Sequence, residues 1–322
     1  MLPRTLLTKC LPMVLVVGFI GLGVKTTSAG IQGSGFRRLA TFGVITSTGD
    51  ITVNDIPYKS ARSRVNINGH VSDESHLHVG QVVTIEGSID PSETTAIADE
   101  ISYNADLQGP ITFASSDAQT LTVLGHTVRI TASTVVEGQS SEGLSPGQLV
   151  EVSGYPNAAG EFVASRVSVD PHTTGAQVHG TVSALDQNAQ TFLVGSLLVD
   201  YATANVAGLL AEDVDVVVQG GVSDGAHLLV ANRVTVTPPL GRPGESVDLE
   251  SIITSFASAA EFELNGWRIR GDEKTKYGLH GGTLGPNATV RVKGKFAADG
   301  TVIADKIDLV PAKKAAKRKA KT

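Results

Sequence analysis

The chain has 322 residues, 41% hydrophobic and 18% charged, with 35 Gly, 13 Pro, one Cys and a formal charge of −6. This apolar content excludes a disordered chain. A single Cys excludes a disulfide scaffold and a zinc ribbon, and the length points to about two or three ordinary domains.

Arg4 and Lys9 precede an apolar run, Leu11 to Val24, and Thr27-Ser28-Ala29 offers small residues before Gly30. This is the layout of a secretory signal peptide over residues 1–29, with an uncleaved anchor as the alternative. The run is shorter than the ~20 residues that span a bilayer. It implies an exported protein, periplasmic or extracellular. Cys10 precedes the run, so a chain cleaved after Ala29 has no cysteine. Removing residues 1–29 takes away three positive charges and moves the formal charge to −9. Lys313, Lys314, Lys317, Arg318, Lys319 and Lys321 form a basic tail within residues 311–322, leaving −15 on residues 30–312. Residues 30–40 read as a flexible leader, in which Gly33-Ser34-Gly35 lacks the lysine of a phosphate loop.

The body then repeats four times. An alternating strand ends in Gly87, Gly154, Gly220 and Gly294, at spacings of 67, 66 and 74. Ten or eleven residues after each begin the runs Ile97–Ile101, Val163–Val167, Val230–Val234 and Ile303–Ile307. All share one pattern: β-branched, Ala, small polar, charged, β-branched. Seven residues before each marker glycine sits Gly80, Gly147, Asp213 or Asn287, residue types that favour turns. Each copy also predicts a hairpin, around Asn54-Asp55, Leu124-Gly125, Val194-Gly195 and Asn265-Gly266.

One module therefore reads as strand, two-stranded hairpin, variable connection, strand, turn, strand. A short helical turn could sit in a connection such as Ala204 to Leu210. Closing a five-stranded antiparallel sheet buries its apolar face and removes its edges. The fold class expected is all-β: four tandem five-stranded OB-like small barrels at 41–104, 107–169, 176–236 and 247–310. Residues 237–246 form a Pro/Gly linker that makes the fourth module the most independent. Val150 and Val152 face the core, as do Val290 and Val292. Copy three is apolar on both sides at Val216, Val217 and Val218, which suits contact with a neighbour.

The run Gly80–Gly87 with Ile97–Ile101, and Gly147–Gly154 with Val163–Val167, resembles the family catalogued as domain of unknown function 5666. The resemblance implies tandem small β-modules in exported bacterial proteins and covers residues 41–310. Copies one and two fit best. Copy three has Asp213 at the turn glycine, and copy four opens on Ser251 instead of Gly. The resemblance supplies no activity and no catalytic residues.

Candidate chemistry is sparse. His70, His76 and His78 are weak metal candidates, with His76 and His78 on one side of an extended strand and Asp73 or Glu74 nearby. Carboxylate pairs such as Asp99-Glu100 and Glu212-Asp213 sit in turns or on outward faces, and no nucleophile elbow occurs. No cofactor is expected, and no catalytic residue is assigned. Trp267, Arg268, Arg270 and Tyr277 could form a sugar-stacking patch, set against Trp267 capping a barrel core. Nucleic acid is not expected for an acidic body with few aromatics. The tail could meet an anionic surface. The reading is an exported, non-enzymatic structural or interaction protein of the bacterial envelope, whose partner would be an envelope polymer or protein. The alternative is a carbohydrate-binding module array, and a metal-binding envelope protein or an enzyme comes third.

Overall fold

The computed structural model describes residues 35–311 apart from 118, 139, 170–174 and 224–226. The signal region and the basic tail lie outside the described residues. The described residues form one compact unit. It is all-β: the described residues hold 24 strands and two single 3-10 turns, Glu74–His76 and Ser141–Gly143. Among them, no helix is long and apolar enough to cross a membrane.

The first segment contains β1 (Arg37–Ser47), β2 (Ile51–Val53), β3 (Ile56–Lys59), β4 (Arg64–Ile67), β5 (His70–Ser72), β6 (Val82–Ile89) and β7 (Ala96–Tyr103). The second contains β8 (Leu107–Ala114), β9 (Thr120–Val123), β10 (His126–Arg129), β11 (Val135–Glu137), β12 (Leu149–Pro156) and β13 (Phe162–Val169). The third contains β14 (Ala176–Asp186), β15 (Thr191–Val194), β16 (Leu197–Asp200), β17 (Asn205–Ala207), β18 (Asp215–Ser223) and β19 (Leu228–Val236). The fourth contains β20 (Ser246–Ser258), β21 (Glu261–Leu264), β22 (Trp267–Gly278), β23 (Thr289–Phe296) and β24 (Val302–Leu309).

Within each segment the ladder returns to its first strand. In the second, β8 pairs β9, β9 pairs β10, β10 pairs β13, β13 pairs β12, and β12 pairs β8 again. The same circuit runs through β14, β15, β16, β19 and β18. It recurs in β1, β2, β3, β7 and β6, and in β20, β21, β22, β24 and β23. The expectation of a purely antiparallel sheet fails at one step. The third and last strands of each circuit run parallel, because the connection crosses the barrel end before the return strand. Nor are the connections free loops. The short strands β4, β11 and β17 lie parallel to β7, β13 and β19, and the end of β22 does the same beside β24. The helical turn suggested near Ala204 is instead β17.

The repeating glycines now have a cause. Each sits at a bulge, opposite the Ala of the second repeat unit: Gly87 to Ala98, Gly154 to Ala164, Gly220 to Ala231 and Gly294 to Ala304. A β-carbon there would come within 2.1, 2.3, 2.1 and 2.1 Å of the carbonyl oxygen of Ile97, Val163, Val230 and Ile303. The turn positions also share a conformation: Gly80, Gly147, Asp213 and Asn287 all have positive φ. Three hairpin turns fall as expected. The third falls one residue later, at Gly195-Ser196, because Val194 pairs Leu197 and the positive φ belongs to Gly195. A β-branched Val resists that conformation.

The valine faces are sealed: Val150, Val152, Val216, Val218, Val290 and Val292 are buried, and so is Val217. Segments two and three share one apolar cluster. A second cluster joins the fourth segment to Ala40, Phe42, Val82 and Tyr155, and a third fills the first segment. The strands form two mixed sheets of twelve. One runs through segments two and three by way of β8 and β14, and the other through segments one and four. In the latter, Leu39–Phe42 of β1 pair in parallel with Ser246–Leu249 of β20. The expected independence of the fourth segment is thereby overturned. Its entry strand is hydrogen-bonded into the first segment, and Leu240 in the residues before it packs against the cluster the two segments share.

Candidate functional site

The four residues of the predicted stacking patch do not share a face. Side chains alternate along a strand. On β22, Arg268 and Arg270 are exposed, whereas Trp267 is half-buried on the side of the buried Ile269. The Trp267 ring meets Phe42 of the first segment edge-on at 4.8 Å, and Phe42 also packs on Tyr155 of the second at 5.8 Å. An aromatic group thus joins three segments. Arg268 and Arg270 instead line a shallow open cleft of ≈ 390 Å³ with Ser255, Ala257, Glu261, Phe262 and Glu263. Tyr277 is exposed near the end of the same strand, opposite Ile307.

The histidine set is dispersed. His70 lies on β5, and His76 closes a 3-10 turn capped by Asp73, whose side chain accepts from the Ser75 amide. That cap removes the extended strand on which His76 and His78 were expected to share a side. His76 Nδ1 lies 3.4 Å from Asp73 and 3.4 Å from Ser72 Oγ. The Ser75 bonds hold the Asp73 carboxyl below its usual range. His78 lines an open cleft of ≈ 370 Å³ with Thr48, Glu74, Ser75 and Leu77. Among the described residues no three His, Cys, Asp or Glu side chains are grouped to hold a metal ion.

Sequence reasoning missed the buried polar junctions between segments. Asp248 of β20 accepts from Arg291 Nε at 2.7 Å and Nη2 at 2.8 Å, while Asn54 Nδ2 donates to Phe42 O and Asp248 O at 3.0 and 3.1 Å. Beside them Tyr58 and Thr41 share a 2.6 Å hydrogen bond, and burial pushes the Tyr58 phenol up.

A second junction joins segments one, two and three. Gln177 Nε2 donates to Asn68 Oδ1 at 2.8 Å and to Ala105 O at 3.0 Å, and Gln219 donates to Gln177 at 3.0 Å. His179 lies between Asp215, at 2.8 Å from Nε2, and Asp106, at 3.6 Å from Nδ1. Burial alone would lower its pKa, but the Asp215 charge and the hydrogen bonds of both carboxylates raise it to about 10. Burial pushes Asp106 up, although it accepts from the Gly154 amide at 2.8 Å. Between segments one and two, Arg166 Nη1 donates to Val79 O at 2.9 Å while its other nitrogen pairs Glu137.

The ion pairs lie within single segments, and Asn54 with Asp248, Asp55 with Arg291, Asp106 with His179 and Val79 with Arg166 carry them across the junctions. A signal for these junctions existed in the polar residues that break the apolar alternation, Asp248, His179 and Gln177, but partners 36 to 194 residues away leave no local trace.

The family model described as Domain of unknown function (DUF5666) matches residues 42–102, 108–168 and 250–308. The third segment has no match, although its strands follow the same circuit. No curated protein matches the chain. Among solved structures, "drosophila Unr CSD456" is similar at 12% identity over 64% of this chain and 97% of its own. Its TM-score of 0.18 is too low to transfer fold or function.

Proposed function

The chain belongs to the DUF5666 family, and on that premise we propose an exported, non-enzymatic structural or interaction protein of the bacterial envelope, built from four tandem OB-like barrels. The strand order of each circuit, first-second-third-fifth-fourth and back to first, supports the OB-like reading. One observation carries the functional reading. The ionisable side chains withdrawn from solvent are engaged at segment junctions: the Asp248–Arg291 pair of the fourth segment meets Asn54 and Asp55 of the first, and the half-buried His179 of the third meets Asp106 between the first two. General acid–base chemistry needs such groups poised in a cleft. Export is supported by the basic start, the apolar run and Ala29. The glycan alternative gains no support from Trp267, which lies against Phe42 on the side away from Arg268 and Arg270.

The test has two arms. Mass spectrometry of the protein recovered from a bacterial host should find a mature N-terminus at Gly30 in the exported fraction; intact chain in the cytoplasm would oppose export. A pull-down from envelope extract should recover a specific protein or polymer. A glycan array with a saturable change in Trp267 fluorescence would instead favour the sugar-binding reading.

A further inference from the structure

The outer face of the fourth segment carries a charge pattern that folding does not require. Lys293 on β23 lies directly opposite Lys306 on β24, and Lys306 lies directly opposite Lys276 on β22. All three are exposed. Neighbouring strands are about 4.8 Å apart, so three ammonium-bearing side chains form one row. Like charges set directly opposite each other destabilise a sheet. Nearby carboxylates compensate in part. Asp308 lies 2.7 Å from Lys306, and Asp248 lies 3.5 Å from Lys293 but already holds Arg291. Among the described residues, Lys276 makes no ion pair. Farther along, Ile303 stands between Lys295 and Arg270 and is 36% exposed, a β-branched side chain flanked by two cations. The same strand β24 ends at Leu309, and six cations follow it between Lys313 and Lys321.

We propose that this face docks on an anionic phospholipid bilayer, with Lys276, Lys293 and Lys306 against headgroup phosphates and Ile303 at the interface. Charge complementarity argues the occupant, despite the acidic body. Lysines are compact point charges, and a row of them on an open sheet face matches a planar field of phosphates. Stacking of single-stranded nucleic acid needs aromatic platforms, and no aromatic side chain stands in this row. The inference rests on the interaction role proposed above and names its surface.

The experiment sediments the full chain with phosphatidylcholine vesicles, with and without phosphatidylglycerol. Two further proteins are compared: one lacking residues 312–322, and that deletion combined with K276Q, K293Q and K306Q. The apolar run Leu11–Val24 adds binding to both vesicle types, so the phosphatidylglycerol-dependent difference is the readout. Deleting residues 312–322 should leave a measurable phosphatidylglycerol-dependent difference, because the face remains. A surface lysine contributes about five-fold, so the triple variant should lose on the order of a hundredfold. Arginine at the three positions should restore the loss, and salt should abolish the binding. Urea unfolding of the glutamine variant should start no earlier, since repulsion is removed.

Parent-like binding by the triple variant would overturn the proposal. So would absence of any lipid-dependent difference in the tail-deleted protein, or loss of single-stranded oligonucleotide binding with vesicle binding intact. Recovery of an envelope partner without vesicle binding would overturn this face alone and leave the interaction role standing.

Discussion

Substituting Gly220 by Ala puts a methyl group 2.1 Å from the Val230 carbonyl oxygen and 2.9 Å from Ala231 Cα. Both obstacles are backbone, so neither can swing aside as a side chain would. Restoring ordinary contact requires the β18–β19 ladder to open by about 1 Å at its bulge, against the close packing of the interior. Overpacking of this kind costs about 1–3 kcal/mol, and a backbone obstacle puts Gly220→Ala at the upper end, about 3 kcal/mol. With a urea slope of about 3 kcal/mol/M, the unfolding midpoint should fall by about 1 M. The adjacent Gly221 supplies the control. A β-carbon there meets nothing within 4 Å, and the residue is exposed. Gly221→Ala should leave the midpoint within about 0.2 M, since exposed substitutions change stability by about 0.5 kcal/mol or less. Equal midpoints for the two variants would refute the explanation of the repeating glycines.

Other outcomes follow from the same geometry. Val152→Asp buries a carboxylate without a partner at a position with no exposure, so thermal unfolding should move sharply down; an unchanged melt would contradict the assigned facing. Arg291→Leu strands Asp248, buried beside Asn54, and should cost about 3–5 kcal/mol in a urea titration. His179, raised to about 10, gives stability that is fully present below its unfolded value near 6.5 and is lost as pH rises through about 10. The unfolding midpoint should therefore decline from pH 7 to 10, and His179→Gln should flatten that decline. His126 works in the other direction. Burial lowers its pKa despite bonds to Leu124 O and Val194 O, so its contribution is lost as pH falls below about 6.5, and His126→Gln should be less acid-sensitive.

Much of the architecture was legible because its causes are local. Alternation of Val150 and Val152 with Glu151 and Ser153 reports a face, and the turn residues Gly80, Gly147, Asp213 and Asn287 report positive φ. The marker glycines were visible as a pattern, though their reason, a carbonyl oxygen on the partner strand, needed the ladder. What escaped is non-local. Nothing near Leu39 or Ser246 announces that they lie side by side. His179 looks like a surface polar residue until Asp106, between the first and second segments, closes on it. The Trp267 patch failed as a group because residues adjacent in sequence alternate across a strand, so the apolar ring turned toward Phe42 and both arginines turned to solvent. The His76 pairing failed because Asp73 caps a turn there.

The parallel pairing of β1 with β20 decides whether segments one and four are one body, and heteronuclear NMR tests it most directly. Contacts between amide and α protons should link Ala40 and Thr41 with Val247 and Asp248, and the β20-facing amides should exchange slowly. Absence of those contacts, with amides exchanging as at an open sheet edge, would contradict a fourth segment hydrogen-bonded into the first.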